Sequence, residues 1–184
     1  GRSMFVIDAH KATHLLLADE TGKIFVVEAQ SPNIEIVQLT TVDKTRQYSE
    51  VICNSLEAEL LERSLDSINP INKAIDAGRI MLAADSLGAS QTMIDKAVDY
   101  AKERKQFGRA IGSFQAVKHM CAEMTADLEP CYALVWHAAH CHDHSPDEAR
   151  LMACHAKAHV SEMSKGIAKN CLLYTSDAAD EEDS

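Results

Sequence analysis

The sequence predicts an α+β fold in which part of an antiparallel β domain is followed by an antiparallel helical bundle. Short runs of β-branched and aromatic residues fill the chain from Met4 to about Leu61, as in strands. From about Pro70 onward, apolar residues recur at every third or fourth position, as on one face of a helix. We expect a β domain over 1–66, an incomplete bundle over 67–171 and an acidic, disordered or artefactual tail over 172–184.

Four apolar runs predict the strands of the first part: "MFVID", "THLLLA", "KIFVVEA" and "IEIVQL". Between the second and third, "DETGK" is typical of a hairpin turn. Four or five strands without a partner sheet leave one face uncovered. The pattern therefore predicts an incomplete β domain, and we expect the fold to be truncated at both ends.

Three helices follow, and each has its own start or stop signal. The first carries an apolar stripe and ends near Gly108; the stripe is Ile75, Leu82, Leu87, Ile94, Ala97, Val98 and Ala101. Ser113 is a candidate N-cap of the second helix, whose stripe is Phe114, Val117, Cys121, Met124, Leu128, Cys131 and Val135. In "SPDE", Ser145 is the expected N-cap of the third, Pro146 its first residue and Glu148 the partner in a capping box. Short connections make such helices antiparallel neighbours.

The break between the first two helices, in "KERKQFGRAIGSFQ", concentrates residues suited to a phosphate-bearing ligand. A helix N-terminus attracts anions, and the guanidinium of Arg104 can hold a phosphate with two hydrogen bonds. Gln115 offers an amide, and Phe107 and Phe114 offer apolar area. The same residues also fit a purely structural interpretation, because an arginine near a helix C-terminus favours the helix dipole and phenylalanines commonly lie in the core.

Composition excludes several classes of protein. A formal net charge of -10 argues against a nucleic-acid partner. No apolar run approaches the length of a membrane-spanning helix, and the first residues lack the order of a signal peptide, so we expect a cytoplasmic protein. The six cysteines show no CxxC spacing and are expected to be reduced thiols: Cys53, Cys121, Cys131, Cys141, Cys154 and Cys171.

A histidine-rich segment, "WHAAHCHDH", raises the question of a metal site. Imidazole and thiolate groups at these spacings can bind zinc or nickel; the candidates are His137, His140, Cys141, His142, His144 and the helical pair His155 and His159. Histidines at a helix end are more often solvated, and the pair lacks the glutamate of HExxH. We therefore expect no functional metal site.

Three stretches resemble the acyl-CoA dehydrogenase family. The string "YAKERKQFGRAIGSFQAVKHMCAEM" resembles the family signature, "TVDKTRQYSEV" the segment that closes the middle β domain, and "AADSLGASQTMIDKAVDYA" the first C-terminal helix. The resemblance runs from about Met4 to Asn170. It implies the end of the middle β domain followed by most of the C-terminal helical domain.

The resemblance implies FAD bound where the subunits of a dimer or tetramer meet. The family arginine that matches Arg104 reaches the FAD pyrophosphate of the neighbouring subunit, and the positions of Gln106, Phe107 and Gln115 face the same cofactor. Asp76 and Arg79 match family positions near the CoA thioester. Their spacing of three equally predicts an ordinary surface ion pair.

The implied reaction is α,β-dehydrogenation of an acyl-CoA thioester, with electrons passed to an electron-transfer flavoprotein. The catalytic base stays unknown, because most members carry it beyond the end of this chain and the position used by a minority is Gly78. Asp43, Thr45 and Arg46 also match a family motif, for which a structural role is favoured. We expect the fragment alone to be inactive; a non-catalytic subunit that supports an FAD site and an acyl-CoA oxidase remain alternatives.

Overall fold

A computed structural model describes residues 1–61 and 70–180, and the side chains of the last helix as far as Leu172. The chain divides into two compact units, Gly1–Ile71 and Asn72–Ser184. The expected boundary at 66/67 and the last four residues of the expected tail lie outside the described residues. Across the described part, no helix combines the length and the apolar character that a membrane span requires.

Within its described residues, the first unit contains two three-stranded antiparallel sheets. One sheet has the order β1 (Arg2–Ile7), β5 (Tyr48–Cys53) and β4 (Ile34–Gln38), and the other has the order β2 (His14–Ala18), β3 (Ile24–Glu28) and β6 (Glu59–Leu60). All four predicted runs are strands. The sequence did not single out β5, because its polar Ser49 and Glu50 interrupt the apolar run, yet both residues are buried.

The core of this unit is small, and several apolar side chains lie outside it. Leu15, Val27 and Val51 form its centre together with two buried alanines, Ala9 and Ala29. Met4, Phe5, Ile7 and Leu16 are exposed. These four side chains are not covered within the part of the chain that the structure describes.

Asp19 organises the turn between β2 and β3. Its Oδ1 accepts hydrogen bonds from the Thr21 amide (2.8 Å), the Thr21 hydroxyl (2.7 Å) and the Lys23 amide (2.9 Å). Gly22 adopts the left-handed conformation with φ 88° that this turn needs. The hydrogen bond from the Thr21 side chain is the main reason that the pKa of Asp19 lies below its ordinary value. The predicted hairpin turn at "DETGK" is confirmed.

Replacing Asp19 with alanine should therefore destabilise the first unit in a pH-dependent way. A carboxyl whose pKa is lower in the folded state stabilises above its unfolded pKa, and this contribution is lost as pH falls through the folded value. We expect a small fall in the denaturation midpoint at neutral pH that disappears in acid, as measured by urea unfolding at several pH values. Glu20→Ala in the same turn is the control, and an equal loss at neutral and acid pH would contradict the assignment.

The second unit is a bundle of three helices: α1 (Pro70–Glu103), α2 (Gln115–His144) and α3 (Pro146–Asp180). Hydrogen bonds and contacts between the helices give their directions. The His142 ring near the end of α2 contacts the Lys73 carbonyl near the start of α1. The Tyr132 hydroxyl, earlier in α2, donates a hydrogen bond to the Gln91 side chain, which lies later in α1. The predicted antiparallel bundle is confirmed for α1 and α2, and the tight turn at Ser145 reverses the chain again into α3.

The buried face of α1 differs from the predicted stripe at its N-terminal half. It repeats at spacings of four and three through Asp76, Ile80, Ala83, Leu87, Ser90, Ile94, Ala97 and Ala101. Ile75 and Leu82, which the apolar pattern selected, are exposed. The pattern was misread because two polar residues, Asp76 and Ser90, lie on the inner face.

Small residues let α2 and α3 pack closely. Cys131 and Ala138 of α2 and Ala153 and Ala156 of α3 are fully buried in one cluster with larger side chains from all three helices. Near the middle of α1, the Ser90 hydroxyl donates to the Ser164 hydroxyl of α3 (2.9 Å), which itself contacts the Ser86 carbonyl (3.3 Å). A polar contact thus lies within the apolar interface.

The end of α3 differs from the sequence expectation. The helix continues to Asp180, through residues 172–180 that were expected to belong to the tail. After Gly166 this stretch contains neither glycine nor proline, so nothing in it interrupts the backbone hydrogen bonds of a helix.

Candidate functional site

The connection between α1 and α2, here called the elbow and comprising residues 104–114, is a small structure of its own. Strands β7 (Lys105–Gln106) and β8 (Arg109–Ala110) form an antiparallel hairpin, and a 3-10 turn over Ile111–Ser113 leads into α2. Phe107 and Gly108 make its two-residue loop with φ values of 52° and 76°. Two positive φ values are typical of a type I′ hairpin turn.

Two sequence predictions at the elbow are wrong. Gly108 does not end α1, because the helix stops at Glu103 and the glycine is the second residue of the hairpin loop. Ser113 does not cap α2: it belongs to the 3-10 turn, and Phe114 takes the N-cap position without a capping hydrogen bond from its side chain. Both residues were interpreted as signals for a helix end or start, whereas Gly108 lies in the hairpin loop and Ser113 in the 3-10 turn that follows the hairpin.

Phe107 stands at the tip of the hairpin with 89% of its surface exposed. A positive φ is uncommon for a bulky aromatic residue and marks local strain. The ring lies edge to face with Phe114 (centroids 6.2 Å apart), and the Arg109 guanidinium lies 4.1 Å from the centre of the Phe114 ring. The elbow therefore displays an aromatic face that can stack on a planar ligand.

The structure brings the four predicted cofactor residues to this elbow. Arg104 is half-buried at its base, where the backbone amide donates to Tyr100 O (2.9 Å) and the carbonyl accepts from the Ile111 amide (2.8 Å). Gln106 is half-buried in β7, Phe107 is at the tip, and Gln115 is exposed as the first residue of α2. A guanidinium, two amides and an aromatic ring can together bind a ligand that is anionic at one end and planar at another.

Gly112 fixes the elbow against α1. A Cβ atom at this residue would lie 2.9 Å from the Ala101 carbonyl oxygen, which is closer than real side chains approach. Ala101 and Ile111 are buried together, and Tyr100, Phe114, Val117 and Met120 pack around them. The 3-10 turn that follows the hairpin thus packs tightly against the last turns of α1.

Asp76 and Arg79, the predicted substrate residues, form an ion pair on α1. The Arg79 Nη1 atom donates to Asp76 Oδ1 at 2.6 Å. The carboxylate is buried and the guanidinium half-buried, so the pair is less solvated than a typical surface pair. A Cβ atom added at Gly78, between them, would meet no atom within 4 Å, so that position has room for a side chain.

Asp43 stabilises the loop between β4 and β5. Its Oδ1 accepts from the Thr45 hydroxyl (2.6 Å) and the Thr45 amide (2.8 Å), and the hydroxyl bond is the main cause of a lowered pKa at Asp43. These contacts agree with the favoured structural role of this segment.

The cysteines are free thiols, as predicted. Burial raises the pKa of the thiols of Cys121, Cys131 and Cys171. These three are therefore less reactive than exposed cysteines, because the thiolate is the nucleophilic form.

Comparison with known proteins identifies the family. Residues 68–178 match the family described as "Acyl-CoA dehydrogenase, C-terminal domain". The chain belongs to the acyl-CoA dehydrogenase family. The match covers α1, the elbow and α2, and most of α3.

Individual relatives agree with this assignment. The chain is 40% identical to the "Probable acyl-CoA dehydrogenase YngJ" of Bacillus subtilis, over 89% of this chain and 46% of that one. It is 42% identical to the "Caffeyl-CoA reductase-Etf complex subunit CarC" of Acetobacterium woodii, over 52% of this chain and 25% of that one. Its fold matches butyryl-CoA dehydrogenase from Megasphaera elsdenii with a TM-score of 0.83 at 23% identity, over 96% of this chain and 49% of that one. The chain spans less than half the length of these proteins.

Proposed function

We propose that this chain is the FAD-contacting part of an acyl-CoA dehydrogenase that converts an acyl-CoA thioester to its α,β-unsaturated product and passes the electrons to an electron-transfer flavoprotein. Membership of the family supports the oxidoreductase class. The name of CarC, which describes a subunit of a complex with such a flavoprotein, supports the electron acceptor. FAD, when bound, would supply the hydride acceptor.

The observation that carries this proposal is the elbow, which packs closely against the end of α1 and presents exposed Phe107 and half-buried Arg104. The Arg104 guanidinium would pair with the pyrophosphate, because its planar fork matches two phosphate oxygens. Phe107 would stack on a planar ring, and the amides of Gln106 and Gln115 would donate and accept hydrogen bonds. Because Phe107 stands open to solvent at the tip of the elbow, we propose that the cofactor belongs to a second subunit of a dimer or tetramer.

Asp76 and Arg79 are proposed to lie on the substrate side. Their ion pair would keep the Arg79 guanidinium oriented while its half-exposed face meets the thioester. Gly78 supplies no carboxylate for proton abstraction. Gly78 is compatible with a second candidate function, a non-catalytic subunit that supports the FAD site of a partner.

A chimera tests the proposal. This chain replaces the matching segment of YngJ, and the purified protein is examined for retained flavin and for anaerobic bleaching of that flavin by a panel of acyl-CoA thioesters. We expect both, and we expect Arg104→Ala to weaken FAD retention by about tenfold or more, because hydrogen bonds to charged groups contribute about 1.5–3 kcal/mol. Arg150→Ala, an exposed arginine of α3, is the matched control.

The outcomes separate the alternatives. Retained flavin without bleaching would show that this chain supports the cofactor but not the substrate side of the site, and rapid reoxidation by oxygen favours an acyl-CoA oxidase. A folded chimera that loses flavin while unmodified YngJ keeps it would contradict the role of the elbow.

A further inference from the structure

Three side chains that can bind a metal meet where α2 turns into α3. His137 and Cys141 lie one turn apart on α2, and Glu148 lies in the first turn of α3. Cys141 Sγ is 3.6 Å from His137 Nε2 and 4.0 Å from Glu148 Oε2. The three ligand atoms all lie within 4.8 Å of one another. Cys141 is buried, whereas His137 and Glu148 are exposed, so the group opens to solvent on one side.

The distance between the Cys141 sulfur and the His137 nitrogen fits a tetrahedral zinc ion. Zinc binds sulfur at about 2.3 Å and imidazole nitrogen at about 2.0–2.1 Å, which places the two ligand atoms about 3.5–3.6 Å apart in a tetrahedron. The observed separation of sulfur and nitrogen already matches that value. The Glu148 oxygen lies 4.0 Å from the sulfur and within 4.8 Å of the imidazole nitrogen. A tetrahedron needs about 3.4–3.6 Å for both distances, and the exposed Glu148 side chain can turn to close the difference.

The turn at Ser145 holds both helix ends in place. The Ser145 amide donates to the Cys141 carbonyl (2.8 Å), and its own carbonyl accepts from the Glu148 amide (3.0 Å). Because the Ser145 amide is bonded to Cys141, the Glu148 carboxylate does not complete the predicted capping box through that amide. It lies beside the Cys141 thiol instead. The group was not predicted from the sequence because Glu148 was assigned to helix capping.

The neighbouring histidines have other contacts. His142 contacts the Lys73 carbonyl and Asp143, and His140 pairs with His144. His155 and His159 face each other further along α3. Of the many histidines in the candidate segment, only His137 therefore belongs to the group of three in the described part of the chain.

We propose that His137, Cys141 and Glu148 form a binding site for a zinc ion, with solvent as the fourth ligand. One thiolate, one imidazole and one carboxylate suit Zn²⁺, and Co²⁺ in its place, rather than Mg²⁺ or Ca²⁺, which prefer oxygen ligands. Binding releases the thiol proton to solvent. The ion links the last turns of α2 to the first turn of α3 and so stabilises the packing of these two helices.

Cobalt titration of the reduced, full chain tests this site. We expect one Co²⁺ per chain, a thiolate-to-cobalt charge-transfer band, the visible bands of tetrahedral cobalt, and displacement of cobalt by Zn²⁺ but not by Mg²⁺. Cys141→Ser should abolish the charge-transfer band. His137→Ala and Glu148→Gln should each weaken Co²⁺ affinity by about tenfold or more, since even groups that only support a ligand contribute about 10–100-fold.

Each variant has a matched control outside the group: Cys154→Ser, His155→Ala and Asp147→Asn should bind Co²⁺ like the unmodified chain. Zn²⁺ should also raise the melting temperature of the unmodified chain and not that of His137→Ala, an exposed position whose change leaves the core intact. A charge-transfer band that survives Cys141→Ser, or an affinity that falls equally in the controls, overturns the proposal. So does the absence of any band at a stoichiometric dose to the folded chain.

Discussion

Replacing Leu128 with alanine is expected to lower the free energy of unfolding of the helical unit by about 2–5 kcal/mol. Leu128 is 2% exposed on α2, in one cluster with Leu87 and Ile94 of α1 and Val160 of α3. The substitution removes three buried carbon atoms and leaves a cavity that the surrounding helices can fill only in part. Urea unfolding followed by far-ultraviolet circular dichroism measures the change.

Leu151→Ala provides the control for Leu128. Leu151 is on α3 and is 70% exposed, so its truncation should change the free energy of unfolding by less than about 0.5 kcal/mol. Equal effects of the two substitutions would show that the cluster around Leu128 does not form as described.

Gly112→Ala is expected to destabilise the same unit by about 1–3 kcal/mol, the usual range for overpacking. The added methyl group would meet the backbone carbonyl of Ala101 at 2.9 Å, and a backbone atom cannot move aside as a flexible side chain can. Either the 3-10 turn or the end of α1 must shift. The Ile111 amide should then exchange hydrogen faster, because its bond to the Arg104 carbonyl depends on that contact.

Two other glycines serve as controls for Gly112. A Cβ atom at Gly88 of α1 or Gly166 of α3 would meet nothing within 4 Å. Alanine should therefore stabilise the helix at either position by up to about 1 kcal/mol, since glycine is unfavourable within helices. A neutral Gly112→Ala together with unchanged exchange at Ile111 would contradict the close contact of the elbow with α1.

The strands and helices could be predicted from the sequence wherever apolar residues recur at a regular spacing. The four strand runs and the three helices were predicted, and Pro146 does begin α3. The elbow hairpin was not predicted, because Phe-Gly is not among the usual type I′ sequences. The inner face of α1 was misassigned at Ile75 and Leu82 since hydrophobicity alone cannot recognise a buried Asp76 or Ser90.

The spacing of residues in the sequence was not sufficient to predict the geometry of the candidate site. Arg104, Phe107 and Gln115 were candidates because of their residue types at the helix break, and the family resemblance added Gln106 and assigned all four to FAD. Nothing in their spacing predicts an exposed, strained aromatic residue at a hairpin tip. The approach of Glu148 to Cys141 depends on the direction in which the chain turns at Ser145. Contacts across such a turn are set by three-dimensional geometry, which residue types alone do not specify.

The hydrogen bond between Ser90 and Ser164 bears on how α3 is aligned along α1. The Ser90 hydroxyl also lies 2.8 Å from the Ser86 carbonyl, so it keeps a partner within its own helix. The Ser164 hydroxyl, by contrast, finds both of its contacts on α1, at Ser90 and at the Ser86 carbonyl. A movement of α3 along α1 would remove both contacts from Ser164. They therefore favour the observed alignment of the two helices, as buried polar residues do in coiled coils, and add to the short turn at Ser145 that already joins α3 to α2.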